Sequence, residues 1–130
     1  MADILVIEDD AAVRRLMAQF LVRAGHAVQE ARNGVEGIAK FRSQQPALVV
    51  TDIFMPQKEG IETIRELRRD HPRLPIIAVS GDIRGDGFFL EAATALGATA
   101  ALKKPFTKTE FLALVEKCLA ECERLAAGEN

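Results

Sequence analysis

Ala47-Leu48-Val49-Val50-Thr51-Asp52 is an apolar run that ends abruptly on a carboxylate. It shows no alternation of polar and apolar positions, so it suits a strand buried on both faces of a parallel sheet. Two further runs have the same form. Ile4-Leu5-Val6-Ile7 stops at Glu8-Asp9-Asp10, and Pro75-Ile76-Ile77-Ala78-Val79 stops at Ser80-Gly81. Ala27-Val28-Gln29-Glu30-Ala31 and Thr99-Ala100-Ala101-Leu102-Lys103 are weaker and more polar, as edge strands often are.

Helical patterns separate these runs. Val13, Leu16, Met17, Phe20, Leu21 and Ala24 recur at spacings of three and four, as do Val35, Ile38 and Phe41, then Ile61, Ile64 and Leu67. The last stretch carries Phe111, Leu112, Leu114, Val115, Cys118, Leu119 and Cys122. Each series makes an apolar stripe that must face a sheet. Gly25 and Gly97 follow such stripes, where a left-handed residue is wanted to end a helix. Asn33 with Glu36 and Thr107 with Glu110 read as capping boxes, the second flanked by a Phe106–Phe111 hydrophobic staple. Gly81 to Gly87 is glycine-rich and charged and reads as a mobile loop. Five strands alternating with five helices imply an α/β fold with a parallel sheet covered on both sides. Right-handed crossovers leave few topologies, of which the doubly wound order 2-1-3-4-5 is a common one.

The chain has 130 residues, the size of one ordinary domain, with no internal repeat and no linker. The expectation is therefore a single domain over 1–130 with its core at about 3–126. Hydrophobic residues at 48% and charged residues at 28% exclude a disordered chain. A net charge of −2 gives no electrostatic case for nucleic acid or anionic membrane as a partner. No apolar run approaches the ~20 residues needed to span a bilayer. The N-terminus reaches Asp3, Glu8, Asp9 and Asp10 without a basic region or a cleavage-site pattern, so no signal peptide is expected. Cys118 and Cys122 suggest no disulfide framework and read as ordinary thiols, which fits a cytoplasmic location. Neither His26 nor His71 lies close enough in sequence to join them as a metal set.

In the order 2-1-3-4-5 the topology reverses between strands one and three, and ligands bind beyond the carboxyl ends of strands at such a point. Strand one ends at Glu8-Asp9 and strand three at Asp52. Neighbouring strands are about 4.8 Å apart, so these carboxylates should meet. Strand four brings Ser80 beside them, and strand five ends near Lys103-Lys104-Pro105. Like charges roughly 5 Å apart cost about 3 kcal/mol at an effective dielectric of 20. A hard divalent cation removes that cost, and few protein oxygens with room for water suit Mg²⁺. A carboxylate beside such an ion can act as a nucleophile toward a phosphoryl group, with a lysine to stabilise the transferred charge. Each residue alone also has an ordinary structural reading. Acidic residues after a strand are often solvated helix starts, and Ser-Gly or Lys-Pro is often a turn. The functional reading rests on all four features occurring together at strand ends.

With these residues in view, the chain resembles the receiver domain of bacterial two-component response regulators, of the single-domain, chemotaxis-regulator-like kind. The likeness runs from about Asp3 to about Ala126. Ile4-Leu5-Val6-Ile7-Glu8-Asp9-Asp10 is similar to the family's first-strand signature. Asp52-Ile53-Phe54-Met55-Pro56 followed by Gly60 is similar to its phosphoacceptor segment, the most specific piece. Ala78-Val79-Ser80-Gly81 resembles its hydroxyl-bearing strand, and Leu96-Gly97-Ala98 with Lys104-Pro105-Phe106 its closing signature. The strand order 2-1-3-4-5 is what this resemblance implies, since it is the order of the flavodoxin-like class to which receiver domains belong.

The resemblance implies that Asp52 accepts the phosphoryl group and that Mg²⁺ is held by Asp9, Glu8, Asp52 and the backbone carbonyl of Phe54. It implies that Ser80 hydrogen-bonds the phosphoryl group and that Lys104, not Lys103, pairs with it. Asp10 matches the motif with a solvent-facing side chain. The implied partners are a sensor histidine kinase or phosphotransfer protein and a downstream protein target, with the last two helices and fifth strand as an output or homodimer surface. The chain would be a phosphoacceptor that assists its own phosphorylation and dephosphorylation, not an enzyme.

Two departures stand out. The family commonly places an aromatic residue three positions before the lysine, where this chain has Ala101. The segment from Ser80 to Gly97 is also about two residues longer than usual and carries Gly81, Gly85 and Gly87. This loop, with Phe88 and Phe89 behind it, is expected to replace the ring as the moving part, unless both phenylalanines are helix core. Phe54 and Asp82 lie where the family tunes water access to the phosphate. Three rivals belong to other classes. An aspartyl phosphatase would place a second Asp two residues after Asp52, where Phe54 stands. A nucleotide or flavin module needs a glycine-rich loop after strand one, where Glu8-Asp9-Asp10 would repel phosphate. A pseudo-receiver would bind partners without phosphorylation.

Overall fold

The computed structural model describes residues 2–53, 60–81, 88–95 and 97–126. The expectations placed on Phe54, on Asp82, on the loop through Gly85 and Gly87, and on the side chains of Phe88 and Phe89 lie outside the described residues.

Strands and helices alternate along the whole chain. In order they are β1 (Asp3–Ile7), α1 (Ala11–Arg23), β2 (Ala27–Ala31), α2 (Gly34–Ser43) and β3 (Leu48–Asp52). Then come α3 (Gly60–Asp70), β4 (Ile76–Ser80), α4 (Phe88–Ala95), β5 (Ala100–Lys103) and α5 (Lys108–Ala126). All strand pairs are parallel and the order is β2-β1-β3-β4-β5, as expected. The weak strands β2 and β5 are the edges, and every residue of β3 and β4 is buried.

Side chains alternate between the sheet faces, and each face carries its own core. Leu5, Ile7, Val49, Ile76 and Ala78 pack with Ile38 and Phe41 of α2, Ile64 and Leu67 of α3 and Ala93 of α4. Ile4, Val6, Leu48, Val50, Ile77 and Val79 pack with Met17 and Leu21 of α1 and Phe111, Val115 and Cys118 of α5. Three expected stripe residues do not face the sheet. Leu16 and Val35 are 47% and 59% exposed, and Ala24 is the exposed C-cap of α1. Spacing alone let them into the pattern. At about 100° per residue, Leu16 lies roughly a third of a turn from the Met17–Leu21 line, and Val35 lies about 60–120° to one side of Gly34, Ile38 and Phe41.

The boundary signals act as local chemistry requires. Gly25 and Gly97 both have positive φ, at 98° and 127°. The Gly25 and His26 N–H groups return to Val22 and Leu21, and those of Gly97 and Ala98 to Thr94 and Ala93, which caps two helix ends in the same way. Thr107 and Glu110 exchange both capping-box bonds, at 3.0 and 2.8 Å, and the Phe106 and Phe111 rings stack at 5.4 Å. The Asn33 box is only half formed. Asn33 Oδ1 accepts from the Glu36 N–H, but the Glu36 carboxylate reaches one residue further back, to the Arg32 N–H and side chain. Cys118 is buried, Cys122 is half-buried, and both are free thiols. No described helix is long and apolar enough to cross a membrane.

Candidate functional site

The register of the sheet sets the site. Ile7 of β1 lies opposite Thr51 of β3, so the next residues, Glu8 and Asp52, come level at the carboxyl edge. Asp52 itself is in the β3 ladder, opposite Val79. Glu8 is fully buried, Asp52 is 6% exposed, and Asp9 opens to solvent. One carboxylate oxygen from each of Glu8, Asp9 and Asp52 lies within 4.8 Å of the other two. On the far side, Lys104 follows β5, and its backbone N–H bonds the Ser80 carbonyl at 2.7 Å. The Lys104 Nζ stands 2.6 Å from Glu8 Oε1 and 3.4 Å from Asp52 Oδ2. Lys103, one residue earlier, is exposed. The structure therefore brings Glu8, Asp9, Asp52 and Lys104 together. Ser80 ends β4 beside this edge, and its Oγ is buried without a hydrogen-bond partner among the described residues.

Asp10 takes a different part. Its Oδ1 accepts from the Ala12 and Val13 N–H groups at 2.9 and 3.2 Å, so it is the N-cap of α1. The solvated helix-start reading of an acidic residue thus holds for Asp10. Its own N–H donates to Glu8 Oε2 at 3.2 Å, which ties the cap to the cluster.

Crowding shows in the ionisation of the site. Burial, then the adjoining Asp52 carboxyl, pushes the Glu8 carboxyl above the usual glutamate range, against the pull of Lys104. Burial and the neighbouring Glu8 push Asp9 up as well. For Lys104, burial opposes the charged form. The hydrogen bond to Glu8 and the charge of Asp52 outweigh it and hold the ammonium above the ordinary lysine range. In this state the ammonium does part of the neutralising that three carboxylates require.

The set is chemically suited to a hard divalent cation. Every side-chain donor is a carboxylate oxygen, and the one exposed member, Asp9, leaves the site open to water. The Ser80 hydroxyl, unpartnered among the described residues, fits a site with room for a polar ligand, because a buried hydroxyl left without a partner costs about 1–3 kcal/mol.

A family profile described as the response regulator receiver domain matches residues 4–116. This chain belongs to that family. The receiver domain is 34% identical over 127 residues to the response regulator MprA of Mycobacterium bovis, covering 98% of this chain and 54% of that protein. The crystallised receiver domain of NtrX from Brucella abortus superposes with a TM-score of 0.86 at 29% identity, covering 91% of this chain and 98% of that one. A CheY-like receiver domain protein from Methanospirillum hungatei superposes with a TM-score of 0.88 at 27% identity, covering 95% and 98%. The receiver domain spans about half the length of the curated relatives it matches, such as MprA at 54% and the probable transcriptional regulator ycf27 of Pyropia yezoensis at 50%.

Gly60 shows why one motif position of the receiver domain is a glycine. A Cβ there would lie 1.9 Å from the Asp52 carbonyl oxygen and 2.6 Å from Ile53 Cα. The first residue of α3 thus rests directly on the backbone that carries Asp52, and its N–H bonds the Ile53 carbonyl at 2.9 Å. The motif named this glycine, but nothing in the sequence gave its contact. The helix-start reading covered the acidic run as a whole and did not single out Asp10 as the cap, although an Asp before an apolar helical pattern is the usual signal.

Proposed function

We propose that this receiver domain is a phosphorylation switch in which Asp52 accepts a phosphoryl group with the help of Mg²⁺. The observation that carries the reading is the meeting of Glu8, Asp9 and Asp52 within 4.8 Å, with the Lys104 ammonium in reach. Glu8, Asp9 and Asp52 would hold the ion, and the backbone carbonyl of Phe54 is proposed as a further ligand. When bound, the ion supplies charge neutralisation for the carboxylates and for the incoming phosphoryl oxygens.

A histidine kinase or phosphotransfer protein presents a phosphohistidine. An Asp52 carboxylate oxygen forms a bond to phosphorus while the bond from phosphorus to the donor imidazole nitrogen breaks, and the electron pair leaves with the imidazole. Lys104 exchanges its bond to Glu8 for one to a phosphoryl oxygen. Ser80, whose hydroxyl is buried without a partner among the described residues, donates to another. Positioning and electrostatics supply most of the acceleration. The new charge and the new Ser80 bond bias the segment after β4, and the output is a changed surface that meets another protein. The unit acts as one receiver domain, from Asp3 of β1 to Ala126 of α5. It assists its own phosphorylation and dephosphorylation and is not an enzyme acting on other substrates.

Melting with and without Mg²⁺ tests the metal part. Saturation at a hundred times the dissociation constant should add about 2.7 kcal/mol of stability. No shift at millimolar Mg²⁺ contradicts it.

A further inference from the structure

Arg14, in the first turns of α1, reaches back to the strand end it follows. Its Nη1 donates to the Glu8 carbonyl at 3.0 Å, and its Nε donates to Glu30 Oε1 at 3.1 Å. The side chain is 11% exposed. The strand pairing of β1 runs as far as Ile7, and the Glu8 N–H bonds Ala31 of β2. The Glu8 carbonyl lies just beyond that ladder, and the guanidinium takes it up. The backbone N–H of Arg14 meanwhile bonds the Asp10 carbonyl at 2.9 Å. One residue therefore holds the carbonyl before Asp9 and the carbonyl after it. The backbone of Glu30 is tied in turn, because the Lys40 ammonium bonds its carbonyl.

We propose that Arg14 is a positioning residue for the acidic cluster: by clasping the Glu8 carbonyl, it fixes the short turn that aims Glu8 and Asp9 at the cation. This rests on the reading of that cluster as a Mg²⁺ site. Groups that orient metal ligands typically change affinity by about 10–100-fold when removed. The sign of the effect separates positioning from charge. Removing a cation beside a cation site, and leaving Glu30 unpaired, should tighten Mg²⁺ binding if charge alone mattered. Losing the clasp should weaken it. A plain structural clamp between α1 and β2 would lower stability equally with and without Mg²⁺ and leave affinity alone.

The test is a Mg²⁺ titration of the melting transition, with the zero point in EDTA, for wild type, Arg14→Met and Arg14→Lys. The expected result is a dissociation constant about 10–100-fold weaker in Arg14→Met. Arg14→Lys, which keeps the charge but cannot reach Glu8 and Glu30 together, should fall between. An unchanged or tighter constant in Arg14→Met overturns the proposal. If Arg14→Met does not fold, Arg14→Lys decides alone, since its charge is that of wild type and an unchanged constant there overturns it. A wild type with no Mg²⁺ response overturns the metal reading first, and the role of Arg14 with it.

Discussion

Asp9 is the most informative single side chain, because it is charged, exposed and crowded at once. Its carboxyl is raised by burial and by Glu8, so the folded protein binds that proton more tightly than the unfolded chain does. The linkage sign follows. The group's contribution to stability is fully present below its unfolded pKa and is lost as pH rises through the raised folded value. Asp9→Asn should therefore stabilise the metal-free protein near neutral pH by roughly 0.5–1 kcal/mol, a figure already reduced for solvent screening. The gain should fade as pH falls below the ordinary aspartate value of about 3.9, where Asp9 becomes protonated in the unfolded chain as well. Urea midpoints in EDTA across that range measure it, and the same variant should lose its Mg²⁺ response. Glu8, Asp9, Asp52 and Lys104 were legible because each stands at a strand end, and strand ends are readable from where apolar runs stop. The Arg14 clasp was not legible, because a side chain that bonds a carbonyl leaves no mark in spacing or composition.

Strand ends were readable to within about a residue, and four of the five helices showed as apolar stripes, since apolar period and punctuation agree along most of the chain. The misses have physical causes. Leu16 and Val35 fit the spacing but not the angle, and Glu36 chose Arg32 over Asn33. The contact of α3 with β3 was hidden, because a glycine in a motif does not say what it touches. Gly60→Ala forces a methyl into the Asp52 backbone, and overpacking of this kind costs about 1–3 kcal/mol or more. Chemical denaturation should show that loss, together with a weaker Mg²⁺ response, because the strain falls on the residue that carries the site. Phe111 anchors α5, fully buried against the sheet and stacked on Phe106. Phe111→Ala should cost about 3–5 kcal/mol in denaturant midpoints, with Mg²⁺ affinity of the folded fraction unchanged, because the ring lies in the core and touches no ligand.

The fold explains why the chemistry gathers at one edge. Parallel strands all end on the same side, so residues from β1, β3, β4 and β5 that are far apart in sequence share one rim. Both faces of the sheet are occupied by helices, so the groups that strands bring together meet water at a rim and not on a face. Ala101 is half-buried in β5, so a signal from Ser80 would have to travel without an aromatic ring at that position. The central claim is that Asp52 is the phosphoacceptor. Intact-mass measurement after incubation with a small phosphodonor and Mg²⁺, with peptide mapping of the product, tests it most directly. One phosphoryl group on wild type is the expected result, absent with chelator and absent in Asp52→Asn. An adduct that persists in Asp52→Asn, or none on wild type, would contradict it.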